Sequence, residues 1–160
     1  MFYLKKEPES ELVETLNDIV KSFDVKFYND ESKKDASNGL HDQIVYELEK
    51  ELVENDRYDL VDSNITFRQP VKRDDKVYIQ ELGEFDVAGF EHLNGNGILH
   101  VYEVKSSAKK DNREKGELQL DRAIGNVANY FYGFHTYLKL GALKVEKYKK
   151  SEGEIIHLPD

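Results

Sequence analysis

The chain of 160 residues has no cysteine and no tryptophan, one methionine and three prolines. Without cysteine it can form no disulfide, no zinc–thiolate or iron–sulfur centre, and no thiol nucleophile. Any metal must be held by carboxylate, carbonyl or imidazole groups, which favours Mg²⁺, Mn²⁺ or Ca²⁺. No apolar run approaches the roughly 18 residues needed to span a bilayer, so no membrane partner is expected. The opening stretch, Met1-Phe2-Tyr3-Leu4-Lys5-Lys6-Glu7, lacks the charged-then-apolar order of a secretory signal, and the expected location is cytoplasmic. There is no P-loop, no Gly-x-Gly-x-x-Gly opening a helix, no Gly-x-Ser-x-Gly and no His-x-x-x-His pair.

An excess of basic side chains is also missing. The chain carries 32 acidic and 23 basic residues, a net charge of −9, which argues against nonspecific binding to nucleic acid. The charge is unevenly spread. Residues 1–64 hold 8 basic and 17 acidic side chains, whereas residues 104–150 hold 11 and 5, a local balance of +6. The C-terminal third can therefore face an anion.

Apolar residues at helical spacing predict a helix over 10–23, with Ser10 as N-cap, and a second over about 40–55. A short strand is expected over 24–28 and a polar loop over 29–38. Strands are expected over 59–67, ended by Gln69-Pro70, and over 76–82. Two more, 84–90 and 97–104, flank Asn94-Gly95-Asn96-Gly97, a strong hairpin signal and no phosphate loop, because a strand follows it. A Lys-rich loop over 106–116 should lead into a long helix over 117–138. The aromatic residues Tyr130, Phe131, Tyr132, Phe134, His135 and Tyr137 then fall on its last turns, as core and partner surface, with base stacking or a homodimer face as alternatives. A strand over 142–148, a turn at Gly153 and a tail at Ile155-Ile156 complete the chain. With no repeat and no long linker, residues 1–160 read as one α/β domain.

The chemistry concentrates in the hairpin: Gly83-Glu84-Phe85-Asp86-Val87-Ala88-Gly89, then Val101-Tyr102-Glu103-Val104-Lys105-Ser106-Ser107. Strand alternation places Glu84 with Asp86, and Glu103 with Lys105. If the two faces coincide, three carboxylates and an ammonium converge between strands marked as buried by Phe85, Val87, Val101 and Val104. Charged groups in such strands need a partner. A divalent cation held by Asp86, Glu103 and the Val104 carbonyl is one solution, and a cross-strand ion pair with Lys105 is the other.

These residues resemble the core of the PD-(D/E)XK nuclease superfamily, which includes archaeal Holliday-junction resolvases, many restriction enzymes, and RecB- and Cas4-type nucleases. The resemblance spans roughly residues 39–148. It implies a restriction-endonuclease-like fold, a central mixed β-sheet flanked by helices, over residues 39–150, with residues 1–38 as an N-terminal helical extension. It implies a metal-dependent DNA nuclease, with Asp86 and Glu103 as ligands of Mg²⁺ or Mn²⁺ and Lys105 as the catalytic lysine. Many members add a metal ligand on the helix before the sheet, His in RecB- and Cas4-like enzymes and Glu in resolvase-like ones. His41 and Glu47 are the two candidates. The RecB- and Cas4-like pattern also has Gln on the next helix followed four residues later by Tyr. Gln119 fits it, and position 123 is Ala, which departs from it.

DNA is the implied partner, with Lys109, Lys110, Arg113, Lys115 and Arg122 placed to meet phosphates. Lys72, Arg73 and Lys76 form a further basic stretch. A nuclease-fold binding module without turnover and a dimeric junction resolvase are the alternatives. Repair, recombination and viral genome handling all use this fold.

Overall fold

The computed structural model describes residues 9–30, 39–131 and 133–148. Among them lie three helices and six strands: α1 Glu11–Val20, β1 Lys26–Asn29, α2 Leu40–Val53, β2 Leu60–Arg73, β3 Lys76–Leu93, β4 Asn96–Lys105, α3 Lys110–Val127, a 3₁₀ turn Ala128–Tyr130, β5 Gly133–Leu140 and β6 Glu146–Tyr148. The strands form one mixed sheet in the order β1-β2-β3-β4-β5-β6. All neighbours are antiparallel except β4 and β5, which run parallel across the α3 connection. This is the α/β architecture with a central mixed sheet flanked by helices that the sequence implies.

The helices cover both faces of the sheet. Ser10 caps α1, its hydroxyl accepting the Val13 N–H at 3.2 Å, and the helix buries Leu12, Val13, Leu16 and Val20. With Leu120, Ala123 and Val127 of α3, these cover Phe27, Ile65, Phe67, Phe85, Leu99, Val101 and Leu138 of the sheet. On the other face α2 lays Ile44, Val45, Leu48 and Leu52 against Val87, Tyr102 and Val104. The outer edge of β1 is closed by one side chain. Asn17 donates to the Phe27 carbonyl at 3.0 Å and accepts the Phe27 N–H at 2.7 Å, which blunts a sheet edge that would otherwise pair with another chain.

Several sequence expectations need correction. The strand expected to end at Gln69-Pro70 continues to Arg73. β1 stops pairing with β2 at Arg68, so the outer side of β2 has no strand neighbour at Pro70 and its missing N–H breaks no ladder. The two strands expected over 76–82 and 84–90 are one 18-residue strand. The Lys-rich loop is the start of α3, which begins at Lys110 and ends at Val127. The aromatic run after it is largely β5, paired with β4 from Ile98↔Gly133 to Lys105↔Leu140. The last strand is shorter than expected, Glu146–Tyr148. Most of the loop over 29–38, Tyr132, Lys149, Lys150, the turn at Gly153 and the tail at Ile155-Ile156 lie outside the described residues.

Phe67 is fully buried and packs on Phe27 with ring centroids 4.5 Å apart. Phe67→Ala should therefore lower unfolding free energy by about 3–5 kcal/mol. Val77 is 66% exposed, and Val77→Ala should cost under about 1 kcal/mol. Urea unfolding followed by circular dichroism checks both, and similar values for the two variants would contradict this placement of the core.

Candidate functional site

The β3–β4 hairpin turns on Asn94 and Gly95, both with left-handed φ, 54° and 82°. Such a two-residue turn suits the twist of the strands it joins. It sets the register from Leu93↔Asn96 down to Val87↔Tyr102, where the β3–β4 ladder ends. The next positions on the two strands are Asp86 and Glu103, so the register opposes these two carboxylates at the point where the strands part.

Beyond that point β3 continues with β2 alone. The N–H of Val104 donates to Asp86 Oδ2 at 2.8 Å, so a side chain supplies the acceptor that the ladder no longer provides. On the β2 side of Asp86, Asn64 has φ 53°, between the register pairs Ser63↔Val87 and Ile65↔Phe85. Asn is among the residues that tolerate this backbone. Strand alternation is reset here. Val87 packs under α2, while Phe85 and Ala88 both pack on the opposite face. The expectation that Glu84 and Asp86 share a face by strict alternation meets this irregularity. Glu84 stands exposed opposite Thr66 on β2.

The charged groups form a chain of contacts. His41, in the first turn of α2, directs Nε2 to Asp86 Oδ2 at 3.5 Å, and its Nδ1 lies 3.3 Å from Asp42 Oδ1. Lys105 Nζ lies 3.5 Å from Glu103 Oε1. Burial, together with the Asp86 charge opposite and offset only in part by Lys105, pushes the Glu103 carboxyl up to about 9. Glu103 is therefore protonated at neutral pH and shares that proton with Asp86. The hydrogen bond to Asp86 raises His41 to about 9 despite partial burial, and the Asp86 and Asp42 charges add to it.

Of the expected site residues, His41, Asp86, Glu103, Val104 and Lys105 come together. Val104 takes part through its N–H. Of the two candidates on α2, His41 meets Asp86, whereas Glu47 lies exposed further along the helix. Gln119 and Arg122 lie exposed on α3, off the face formed by Gly116, Leu120, Ala123 and Val127 that packs on the sheet. Lys109, Lys110, Arg113 and Lys115 occupy the first turns of α3. Arg113 is held by Glu146 at 2.7 Å and Glu117 at 3.5 Å, and Lys110 by Glu114 at 3.9 Å, while Lys109 and Lys115 are exposed. Among the described residues, no three His, Asp or Glu side chains are grouped so that they could hold a metal ion. Asp86 touches both His41 and Glu103, and the three are strung in sequence rather than around one centre. The donor types, two carboxylates and an imidazole, do suit Mg²⁺ or Mn²⁺.

A second polar network, not foreseen from the sequence, lies on the α2 face at the other end of β4. His100 is fully buried. Its Nδ1 meets the Tyr137 hydroxyl at 2.9 Å and its Nε2 meets Glu91 Oε1 at 3.2 Å, and Arg57 Nε bonds the same carboxylate at 3.3 Å. Burial pushes His100 down to about 4, so it is neutral. His100 stacks on His135 and Tyr102 on Tyr137, the parallel register partners. The Tyr58 hydroxyl bonds that of Tyr102. Tyr58 lies so close over Gly89 that a Cβ there would sit 2.6 Å from its ring. The signal was present as alternating His-x-Tyr in both 100–102 and 135–137, and it becomes readable only once 133–140 is known to be a strand.

The site should leave a mark on stability. Glu103 and His41 both bind protons more tightly in the folded chain, so stability falls as pH rises through about 9. The fall begins near the unfolded carboxyl value for Glu103 and near 6.5 for His41. Glu103→Gln should keep the fold at pH 7 and flatten the loss of stability between pH 7 and 9.5, read by urea unfolding. An unaltered slope would mean that Glu103 is ionised throughout.

In comparison with known proteins, no family model and no curated protein matches the chain. The chain aligns with the crystal structure of SSO0001 at a TM-score of 0.44 and 16% identity, over 75% of this chain and 51% of that one. It thus spans about half the length of that protein.

Proposed function

We propose that the protein is a Mg²⁺- or Mn²⁺-dependent DNA nuclease that hydrolyses phosphodiester bonds. The observation that carries this reading is the register opposition of Asp86 and Glu103 at the strand fork, with Lys105 on one carboxylate and His41 on the other. Asp86, Glu103 and the Val104 carbonyl would hold the cation, and His41 would have to move in from the far side of Asp86, because the three side chains are not grouped round one centre; when bound, the cation would supply Lewis-acid polarisation of a phosphodiester. Glu103 and His41 would give up protons to become ligands. Lys105 is kept in place by Glu103, so its ammonium is positioned to meet negative charge developing on a phosphate. Its stem packs near Gly116 of α3, which holds it from the other side. The basic side chains on the first turns of α3 lie where the helix dipole is itself positive, and together they favour an anion beside Lys105.

The second reading is a binding module of the same fold without turnover. The linear arrangement of His41, Asp86 and Glu103 and Ala123 in place of the expected Tyr favour it.

A cleavage assay with Mn²⁺ on duplex and single-stranded DNA separates the two. Asp86→Ala, Glu103→Ala and Lys105→Ala should each lower cutting by about a hundredfold or more. Equal cutting by wild type and variants, or none by any, would remove the nuclease reading. Calorimetry adds an independent check. Mn²⁺ binding should release protons at pH 7, tighten as pH rises toward 9, and vanish in Asp86→Ala.

A further inference from the structure

Residues 69–80 form a two-stranded ribbon that stands clear of the rest of the sheet. β1 pairs with β2 only as far as Arg68, and β4 pairs with β3 only as far as Val87. From there β2 and β3 pair only with each other, Gln69↔Gln80, Pro70↔Ile79, Val71↔Tyr78, Lys72↔Val77 and Arg73↔Lys76, closing on Asp74 and Asp75 at φ 50° and 63°. An isolated hairpin of this kind is marginal in water by itself. Val77, Tyr78 and Ile79 are 66%, 51% and 58% exposed.

Opposed residues share a face and alternate along each strand. The register therefore sorts the ribbon into two unlike faces. One carries Gln69, Gln80, Val71, Tyr78, Arg73 and Lys76; the other carries Pro70, Lys72, Val77 and Ile79. Neither face carries an acidic residue along the paired strands, and Asp74 and Asp75 sit at the tip, but the first face concentrates the polar groups. It offers two opposed amides, a tyrosine, and an opposed guanidinium–ammonium pair. A two-stranded ribbon fits the major groove of B-form DNA, where amide and guanidinium groups hydrogen-bond base edges and cations meet phosphates. Asp86 lies on the same strand six residues from Gln80, about 20 Å along it.

We infer that this ribbon is a duplex-binding arm whose Gln69/Gln80/Arg73/Lys76 face enters the DNA major groove. The choice of DNA rests on the nuclease reading; the choice of duplex rests on the ribbon's shape and the chemistry of that face.

The test measures anisotropy of a labelled duplex, and of its single strand, across a salt series. Protein with Asp86 intact is used in EDTA, so that binding is read without metal-dependent cleavage. Arg73→Ala/Lys76→Ala should weaken duplex binding tenfold or more and reduce the salt slope by about 2. Gln69→Ala/Gln80→Ala should weaken it with the slope unchanged. Circular dichroism of both should match the parent, since these side chains lie outside the core. Duplex binding unchanged in both variants, or single strand bound as tightly as duplex, overturns the inference. So does a dimer that Val77→Ser/Ile79→Ser dissociates while duplex binding persists, which would make the arm a contact between copies. If wild type cuts DNA but the arm variants bind unaltered, the arm fails and the nuclease reading stands. If nothing cuts but the arm variants lose duplex binding, the arm stands and the nuclease reading falls.

Discussion

The bond from the Val104 N–H to Asp86 governs how this sheet is built. A β-ladder cannot simply stop in a protein interior, because the next donor would lose its acceptor, at a cost of about 1–3 kcal/mol. Asp86 meets that demand with a side chain, which frees the backbone of β3 to leave β4. Three features depend on that departure. Glu103 is left opposed to a carboxylate instead of a neutral neighbour. β4 remains paired with β5 as far as Lys105↔Leu140, which brings Lys105 to the same end of the sheet. β3 goes on with β2 as a free ribbon that starts within a few residues of the same aspartate.

The two polar clusters on this sheet differ in how fully their members satisfy one another. Around His100 every partner is complementary. Both ring nitrogens are engaged, Glu91 is matched by Arg57, and the aromatic register partners stack on each other. Such a network is complete without a ligand and fixes one packing of β4 against β5. Around Asp86 the partners conflict. Two acids are opposed at hydrogen-bonding range in a buried place, and one of them stays protonated. Cations stand at either end of the pair without separating it. A proton holds this arrangement together, and a divalent cation would do so with more charge. That conflict, and not burial or polarity alone, is what the nuclease proposal rests on.

How much of this was legible in the sequence varies with the kind of signal. The hairpin was, because Asn-Gly signals a two-residue turn, but the stretch Asn94-Gly95-Asn96-Gly97 offers two such turns, and only the observed register, Leu93↔Asn96, opposes Asp86 to Glu103. His41 was legible as one of two candidates on α2, and contact with Asp86 separates it from Glu47. The start of α3 was not, because its cap position is Lys109, which makes no side-chain capping bond, so the usual Ser, Thr, Asp or Asn cue is missing. β5 was misread because Phe131, Phe134, Tyr137 and Leu138 also fit a helical period, and short apolar runs are ambiguous between the two. The break in alternation along β3 was not legible, because the left-handed Asn64 that causes it lies on β2 beside Asp86. Nothing in the residue pattern of β3 announces that irregularity; it arises from its neighbour.

The acidic balance of the chain acquires a different meaning once it is placed on the fold. α2 contributes Asp42 beside His41 and carries Glu47, Glu49 and Glu51 behind it, so the helix that brings His41 to Asp86 also brings negative charge. A polyanion approaching this molecule gains little from long-range attraction, which depends on net charge and fades within about 8–10 Å at physiological salt. Recognition must then be local, made by groups that reach the ligand directly. Among the described residues, groups placed to do so include Lys105 at the fork, Lys109 and Lys115 on the exposed start of α3, and the Arg73/Lys76 face of the β2–β3 ribbon. These belong to the strands and helix that meet at or run out from the Asp86–Val104 bond. The same fork that sets the two carboxylates against each other therefore also gathers the positive groups that an anionic ligand requires.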